Sequence, residues 1–337
     1  MNLEAVRALV AEDWKAYSAL MGQMLESGVP LLLHLNEEVL SHAGKQMRPL
    51  LCLFSARACR PDMVTGEGSA PASTPLPENT LRYAAAAELL HNATLLHDDV
   101  ADASDLRRGR PTVRSRYGAD VSVLLGDYWL SQAVESITGG KDYDPAITRI
   151  FAKTLRDLSE GEIFQLEKAS EGDTSIEDYL RIIYGKTASL FEASALSGAC
   201  SVGAGEAQKT ALKTYARCLG IAFQIRDDIF DYCPGMDTGK PSCEDILQKK
   251  ITLPLLGAFE NAAHKEEQAL REAIVRGEEG LCARVMEYVQ RYDGIAYAQE
   301  RLEAYVSEAL AALEVLPESP YRSAMEEMAR FMAVREK

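Results

Sequence analysis

The segment from Thr80 to Ala103 contains neither Pro nor Gly and carries the run Ala84-Ala85-Ala86-Ala87-Glu88-Leu89-Leu90. Residues of this kind lose little freedom in a helix and offer no break, so the stretch is a long helix. The same bias runs through the chain. Apolar residues make up 47% of the 337 positions, enough to bury a sizeable core, and the 13 prolines are partly clustered. The region from Leu3 to Ala58 reads as two or three helices. Pro61 to Asn79, with Pro71, Pro75 and Pro77, reads as a surface loop (residues 61–79). Helices follow at about Val121 to Ser136, closed by Gly139-Gly140, and at residues 145–170, with Gly161 inside. Thr174-x-x-Glu177 has the capping-box pattern and opens a helix reaching about Gly198. Glu206 to about Tyr232 is helical again. A loop with Pro234, Gly235, Gly239 and Pro241 follows, and Ala/Leu/Glu-rich helices fill Ile251 to Glu336. No run of alternating β-branched residues suggests a strand. The expected fold is all-α, a single domain over residues 1–337 built as a bundle of long helices.

The formal net charge of −15 argues against a general nucleic-acid partner, because phosphate repels such a chain at long range. Against that background a local basic cluster is informative. None of the seven cysteines, Cys52, Cys59, Cys200, Cys218, Cys233, Cys243 and Cys282, forms a C-x-x-C pair, so a zinc ribbon is not expected. Most are read as reduced thiols, which fits a cytoplasmic protein. The N-terminus lacks the basic-then-apolar pattern of a signal peptide, and no apolar run is long enough for a membrane span.

Two acidic clusters of identical spacing stand out. Asp98-Asp99-x-x-Asp102 lies within HNATLLHDDVADASDLRRGRPT, and Asp227-Asp228-x-x-Asp231 within FQIRDDIFDY. On a helix, residues four apart share a face, and like charges there repel. A divalent cation offsets the repulsion, and hard carboxylate oxygens suit Mg²⁺. One such cluster alone is more often a solvated acidic face. Two of them, about 130 residues apart on apolar helices, suggest carboxylates presented across a shared cavity. Mg²⁺ usually binds through one or two carboxylates plus substrate phosphates, so the implied ligand is a diphosphate.

The cations a diphosphate needs are present as well. Lys45 and Arg48 stand in AGKQMRP, and Arg107, Arg108 and Arg110 follow the first acidic cluster. Lys186 lies beside Gly185 in YGKTAS, and Lys240 follows Gly239 after the second cluster. Arg grips phosphate with paired hydrogen bonds and Lys acts as a point charge. A solvated basic turn is the bland reading of 107–110; its place directly after the carboxylates favours phosphate. An interior Gly at 185 costs about 1 kcal/mol relative to Ala, which argues for a local reason. His97 reads as structural, beside Asp98. His91 lies about two turns before Asp98 on roughly the same face, within reach of a ligand. His34, His42 and His264 read as ordinary.

With these segments in order, GKQMRP, LLHDDVADASDLRRGRPT, GDYWL, GEIFQLE, YGKTASLF, FQIRDDIFDY, GKPSCED and KKITLPLL, the chain resembles the trans-polyprenyl (isoprenyl) diphosphate synthases from about Gly44 to Pro254. The resemblance implies an all-helical fold around a deep central cavity, usually a homodimer. It implies condensation of isopentenyl diphosphate with an allylic diphosphate, whose diphosphate leaves, to give an all-trans polyprenyl diphosphate. In that family Asp98, Asp99, Asp102, Asp227 and Asp231 would hold three Mg²⁺ ions on the allylic diphosphate, also contacted by Arg107, Lys186 and Lys240. Lys45, Arg48, His91 and Arg108 would bind isopentenyl diphosphate, and Thr187 and Gln224 would sit near the developing carbocation. The chain departs from the family at Ala43-Gly44-Lys45-Gln46, often Gly-Gly-Lys-Arg, and in YCPGMDTGKPSCED.

Ala93 and Thr94 lie five and four residues before Asp98, where bulky aromatics close the cavity in short-product members of the resembled family. Both are small here, and Tyr83 lies roughly 22 Å below Asp98 along the helix. The expected product is therefore longer than farnesyl. The alternative is that both side chains merely pack against a neighbouring helix. Competing readings are a short-chain geranylgeranyl or farnesyl synthase, and a non-catalytic partner subunit, which would be expected to lose aspartates or basic pairs that this chain keeps. A terpene cyclase would not need Lys45 and Arg48. A di-iron bundle would need E-x-x-H motifs, and none is present.

Overall fold

A computed structural model describes residues 3–42, 44–60, 74–107, 109–233 and 243–333. Most of the expected surface loop, residues 61–73, and most of the expected loop after Tyr232 lie outside the described residues. The chain divides into two compact units. The first comprises Met1–Ala152, Leu190–Lys213 and Ala312–Met328; the second comprises Lys153–Ser189, Thr214–Ala311 and Ala329–Lys337.

The first unit opens with four helices, where two or three were expected: α1 (Leu3–Ala8), α2 (Ala11–Met24), α3 (Pro30–Leu40) and α4 (Met47–Cys59). Its centre is α5 (Glu78–Ala101), which lies along α7 (Ala119–Thr138) and also meets α4 and α2. The Ala84–Ala87 run has no exposed surface at all, and Tyr83, Leu89, Leu90 and Ala93 are buried with it. A helix apolar all round is a helix at the middle of a core. The one sheet among the described residues is a two-residue ladder, Leu106–Arg107 (β1) against Arg110–Pro111 (β2), so the basic loop expected after α5 is a small hairpin. It leads through α6 (Val113–Tyr117) into α7.

One ion pair is sealed into this unit. Arg57 on α4 is 1% exposed and grips Asp13 on α2 through Nε at 2.8 Å and Nη2 at 2.6 Å. Its Nη1 donates to the carbonyl of Thr74 at 2.8 Å, so the guanidinium is satisfied on three sides.

In the second unit the long helix α8 (Pro145–Glu171) continues from the first, with Gly161 inside it as expected. The capping box lies one residue later than the sequence pattern placed it. Ser175 is the N-cap, and its side chain and that of Asp178 satisfy each other's backbone N–H, while Thr174 only lends its carbonyl to Arg271. Asp and Glu both serve at the third helical position, so spacing alone did not choose between neighbouring boxes. The helix so opened is not continuous to Gly198. It is α9 (Ile176–Ile183), then a π-helical turn over Tyr184–Ala188, then α10 (Ser189–Ser201). Next come α11 (Glu206–Asp231), α12 (Glu244–Leu247), α13 (Leu253–Asn261), α14 (His264–Arg276), α15 (Leu281–Arg291), α16 (Gly294–Leu313) and α17 (Pro320–Ala333); α10 beyond Ser189, the start of α11 and most of α17 belong to the first unit. Cys243 and Cys282 are joined as a disulfide, Cα atoms 6.0 Å apart, while the other five cysteines are free thiols. No helix among the described residues is long and apolar enough to cross a membrane.

Leaving one charge of a buried pair alone costs far more than the pair itself contributes. Asp13→Ala should lower the unfolding free energy by about 3–5 kcal/mol, read from the urea midpoint. The double variant Asp13→Leu/Arg57→Met should recover much of that loss; equal destabilisation by the single and double variants would refute the argument.

Candidate active site

Both acidic clusters occupy the last turn of a long helix. Asp98 and Asp99 close α5, Asp102 is its C-cap, and Asp227, Asp228 and Asp231 close α11. Neither last turn contains a basic residue. The carboxyl end of a helix carries partial negative charge, so carboxylates are unfavourable there. In each cluster the middle aspartate is the buried one, Asp99 at 4% and Asp228 at 5% exposure, while Asp102 and Asp227 are exposed.

The end of α5 is fixed by its own backbone. Ser104 N–H donates to the carbonyl of Asp99 at 3.0 Å and Ala103 N–H to that of Val100 at 3.2 Å, the Schellman pattern. Ala103 takes the left-handed conformation, φ 51°, that this ending requires and that Gly adopts more readily. The hairpin then brings Arg107 back onto the helix. Its Nε and Nη2 both lie 2.8 Å from Asp99 Oδ1. Burial raises the Asp99 carboxyl above its usual range, and the Arg107 guanidinium pulls it the other way.

The second cluster is held differently. Asp228 accepts from the Tyr179 hydroxyl at 2.6 Å and from Gln224 Nε2 at 2.9 Å. The Gln224 carbonyl accepts the Thr187 hydroxyl at 2.8 Å. One chain of hydrogen bonds therefore runs from Thr187 in the π-helical turn through Gln224 to Asp228. Burial, followed by the charge of Asp245, pushes the Asp228 carboxyl well above the ordinary range, while Tyr179 and Gln224 act against the rise. Asp231 is cradled by backbone: Glu244 N–H reaches Oδ1 at 3.1 Å and Asp245 N–H reaches Oδ2 at 3.3 Å. Its carboxyl too is raised by burial, against those donors.

Lys186 pairs with Glu162 at 2.6 Å and donates to the Gln165 carbonyl at 2.9 Å. Lys45 is exposed and its carbonyl accepts from Arg7; Arg48 lies over the Phe191 ring, 4.9 Å from its centroid. His91 is half-buried, about one turn before Thr94 on α5, and the Thr94 hydroxyl donates to the His91 carbonyl at 2.8 Å. Ala93 is buried. Arg108 and Lys240 lie outside the described residues. His97 meets Asp127 of the GDYWL segment at 3.3 Å, and a Cβ at Gly126 would come 2.3 Å from its ring, which explains that glycine.

Among the described residues no three His, Cys, Asp or Glu side chains form a ready-made metal cage. Mg²⁺ held by one or two carboxylates and completed by phosphate oxygens does not need one. Carboxylates set at the electronegative end of a helix, as at the end of α5 and separately at the end of α11, are donors of the kind such an ion takes.

The polyprenyl synthetase family description matches residues 29–290. Across 339 aligned residues the chain is 34% identical to the octaprenyl diphosphate synthase of Escherichia coli, with 100% of each chain covered. The chain belongs to the polyprenyl synthetase family. It is a trans-prenyltransferase. It is also 36% identical to the all-trans-nonaprenyl-diphosphate synthase (geranyl-diphosphate specific) of Rhodobacter capsulatus, over 96% of this chain and 95% of that one. The solved polyprenyl synthase of Caulobacter crescentus, complexed with calcium and isoprenyl diphosphate, superposes with a TM-score of 0.86 at 33% identity, covering 99% of this chain and 98% of that one. The all-α fold expected from the sequence is the fold of these enzymes.

Sequence reasoning missed the second-cluster partner Tyr179, and it missed Glu162 and Gln165, although GEIFQLE was recognised as a motif. The signal was the pair of helix-interior glycines, Gly161 and Gly185, which mark two helices pressed together.

Tyr179→Phe keeps the ring and removes one of two donors to a buried carboxylate. Unfolding free energy should fall by about 1–3 kcal/mol, measured by urea denaturation; an unchanged midpoint would mean that Asp228 is satisfied without the phenol.

Proposed function

We propose that this enzyme condenses isopentenyl diphosphate with an allylic diphosphate to build an all-trans polyprenyl diphosphate longer than farnesyl. The observation that carries the reading is the full-length likeness to octaprenyl and nonaprenyl diphosphate synthases, combined with carboxylate clusters at both helix ends. A short-chain product has less support because the likeness is to octaprenyl and nonaprenyl diphosphate synthases, and a non-catalytic subunit has less because this chain keeps the aspartates and basic residues that such a subunit would be expected to lose.

In this reading Asp98, Asp99, Asp102, Asp227 and Asp231 hold divalent cations, magnesium being the resident ion and three the expected number. When bound, these ions neutralise charge on the departing diphosphate. The chain's own cations do the rest. Arg107, Lys186 and Lys240 hold the allylic diphosphate, and Lys45, Arg48, His91 and Arg108 hold isopentenyl diphosphate. Thr187 and Gln224 lie beside the electron-poor carbon as it loses its leaving group. Their dipoles are fixed in advance by the bond to Asp228, so little reorganisation accompanies charge development. Apolar walls keep out water, which would otherwise capture the cation as an alcohol.

A homodimer in the cytoplasm completes the reading. Val123, Leu124 and Val134 on α7 are 38%, 68% and 48% exposed, apolar surface of the kind a second copy covers. Five of the seven cysteines are free thiols, the state an intracellular setting favours, with the Cys243–Cys282 disulfide the exception to it.

Purified protein given labelled isopentenyl diphosphate and an allylic starter should form a polyprenyl diphosphate, and excess chelator should abolish incorporation until Mg²⁺ is restored. Incorporation persisting in chelator would remove the metal assignment, and a product ending at farnesyl would remove the long-chain assignment.

Small residues at 93 and 94 leave room for a growing tail along α5 in this reading. Ala93→Phe or Thr94→Phe should shift the product mass to shorter chains while the helix content holds. An unaltered product spectrum would place the length determinant elsewhere.

A further inference from the structure

Lys186 does not stand alone in the second unit. Its ammonium lies 2.6 Å from Glu162 Oε2 and 2.9 Å from Gln165 Oε1. Gln165 in turn donates through Nε2 to Glu162 Oε1 at 3.1 Å, so the three side chains close a ring. That ring fixes the Gln165 amide, carbonyl toward the cation and NH₂ toward the carboxylate. Glu162 and Gln165 are three apart on α8 and share a face.

The backbone beneath is pressed into one register. A Cβ at Gly185 would come 2.7 Å from the carbonyl oxygen of Asp157, and a Cβ at Gly161 would come 3.1 Å from both Gly185 Cα and Lys186 N. No other residue fits at the crossing without moving one helix. The crossing falls in the π-helical turn that carries Lys186 and Thr187, and π turns inside helices often mark functional positions. Four consequences of the sequence, two glycines and two polar side chains, therefore converge on one ammonium.

An ammonium has three N–H donors and a flexible four-carbon stem. Glu162 and Gln165 take two donors and leave one. We propose that Glu162 and Gln165 are positioning residues that hold the Lys186 ammonium in place so that its third N–H serves a diphosphate oxygen. The inference rests on the reading above that Lys186 grips the allylic diphosphate.

The test uses the full chain with inorganic pyrophosphate and Mg²⁺ as the probe, binding measured by calorimetry. Glu162→Ala should weaken pyrophosphate binding about tenfold, the coupling expected of side chains in one network, and by less than about twofold when Lys186 is already Met. Glu162→Gln, which keeps the shape and can still accept a hydrogen bond, should fall between wild type and Glu162→Ala with an unchanged melting temperature, a pattern that a purely structural role would not give. Equal weakening with and without Lys186 overturns the positioning role. So does tighter binding by Glu162→Gln, which would make Glu162 a competitor of the diphosphate. If Lys186→Met alone binds pyrophosphate like the wild type, the assignment of Lys186 to the diphosphate falls, and the positioning role falls with it.

Discussion

Two long helices end in carboxylates where a helix favours cations. α5 and α11 each place three aspartates in or just beyond the last turn, and neither helix supplies a Lys, Arg or His in that turn, although Arg107 reaches Asp99 from the hairpin that follows α5. Each misplaced charge costs about 0.3–1 kcal/mol at an exposed helix end. The aspartates hold their places because the helices beneath them are anchored by burial. α5 is sealed along Tyr83–Leu90, and α11 buries Leu212, Tyr215, Leu219, Ala222 and Ile225. Packing thus sustains a local electrostatic conflict that a bound divalent cation would relieve. Ligand affinity built this way draws on folding energy already committed elsewhere.

The two clusters divide their labour in the same manner. The middle aspartate turns inward and takes partners from its own unit, Arg107 for Asp99, and Tyr179 with Gln224 for Asp228. Asp102 and Asp227 remain at the surface. A single D-D-x-x-D pattern therefore yields two kinds of carboxylate, because successive helical positions differ by about 100° in direction. On the proposed reading the inner member sets the geometry of the cluster, and its outer neighbours meet the ions first.

Much of this was legible in the chain. A Pro- and Gly-free stretch located α5, and helix-forming composition between Pro- and Gly-marked breaks located α7, α8 and α11, to within a few residues, since such composition acts locally. The order of the motifs carried the family. What was not legible depends on pairing across sequence distance. The π-helical turn over 184–188 is a register slip within a helical sequence and leaves no local mark beyond Gly185. The salt bridge between Lys186 and Glu162 joins residues on separate helices, and the bond from Tyr179 to Asp228 spans the distance from α9 to α11. The capping box slipped by one residue because Thr174 and Ser175 are both good caps, and only the backbone decides between them.

The hydrogen-bond direction through Thr187 bears on the chemistry. Its proton is committed to the Gln224 carbonyl, and the Gln224 amide is committed to Asp228. With that proton engaged, what the hydroxyl can offer a further neighbour is a lone pair. A lone pair held at fixed orientation stabilises an adjacent positive carbon as a dipole, and it does so without waiting for solvent-like rotation. The buried carboxylate of Asp228 sits at the end of the chain as the acceptor that keeps every link pointing one way. On the proposed reading, the middle aspartate of the second cluster has a role distinct from metal binding: it orients two polar side chains whose value to an electrophilic reaction lies in being unable to turn.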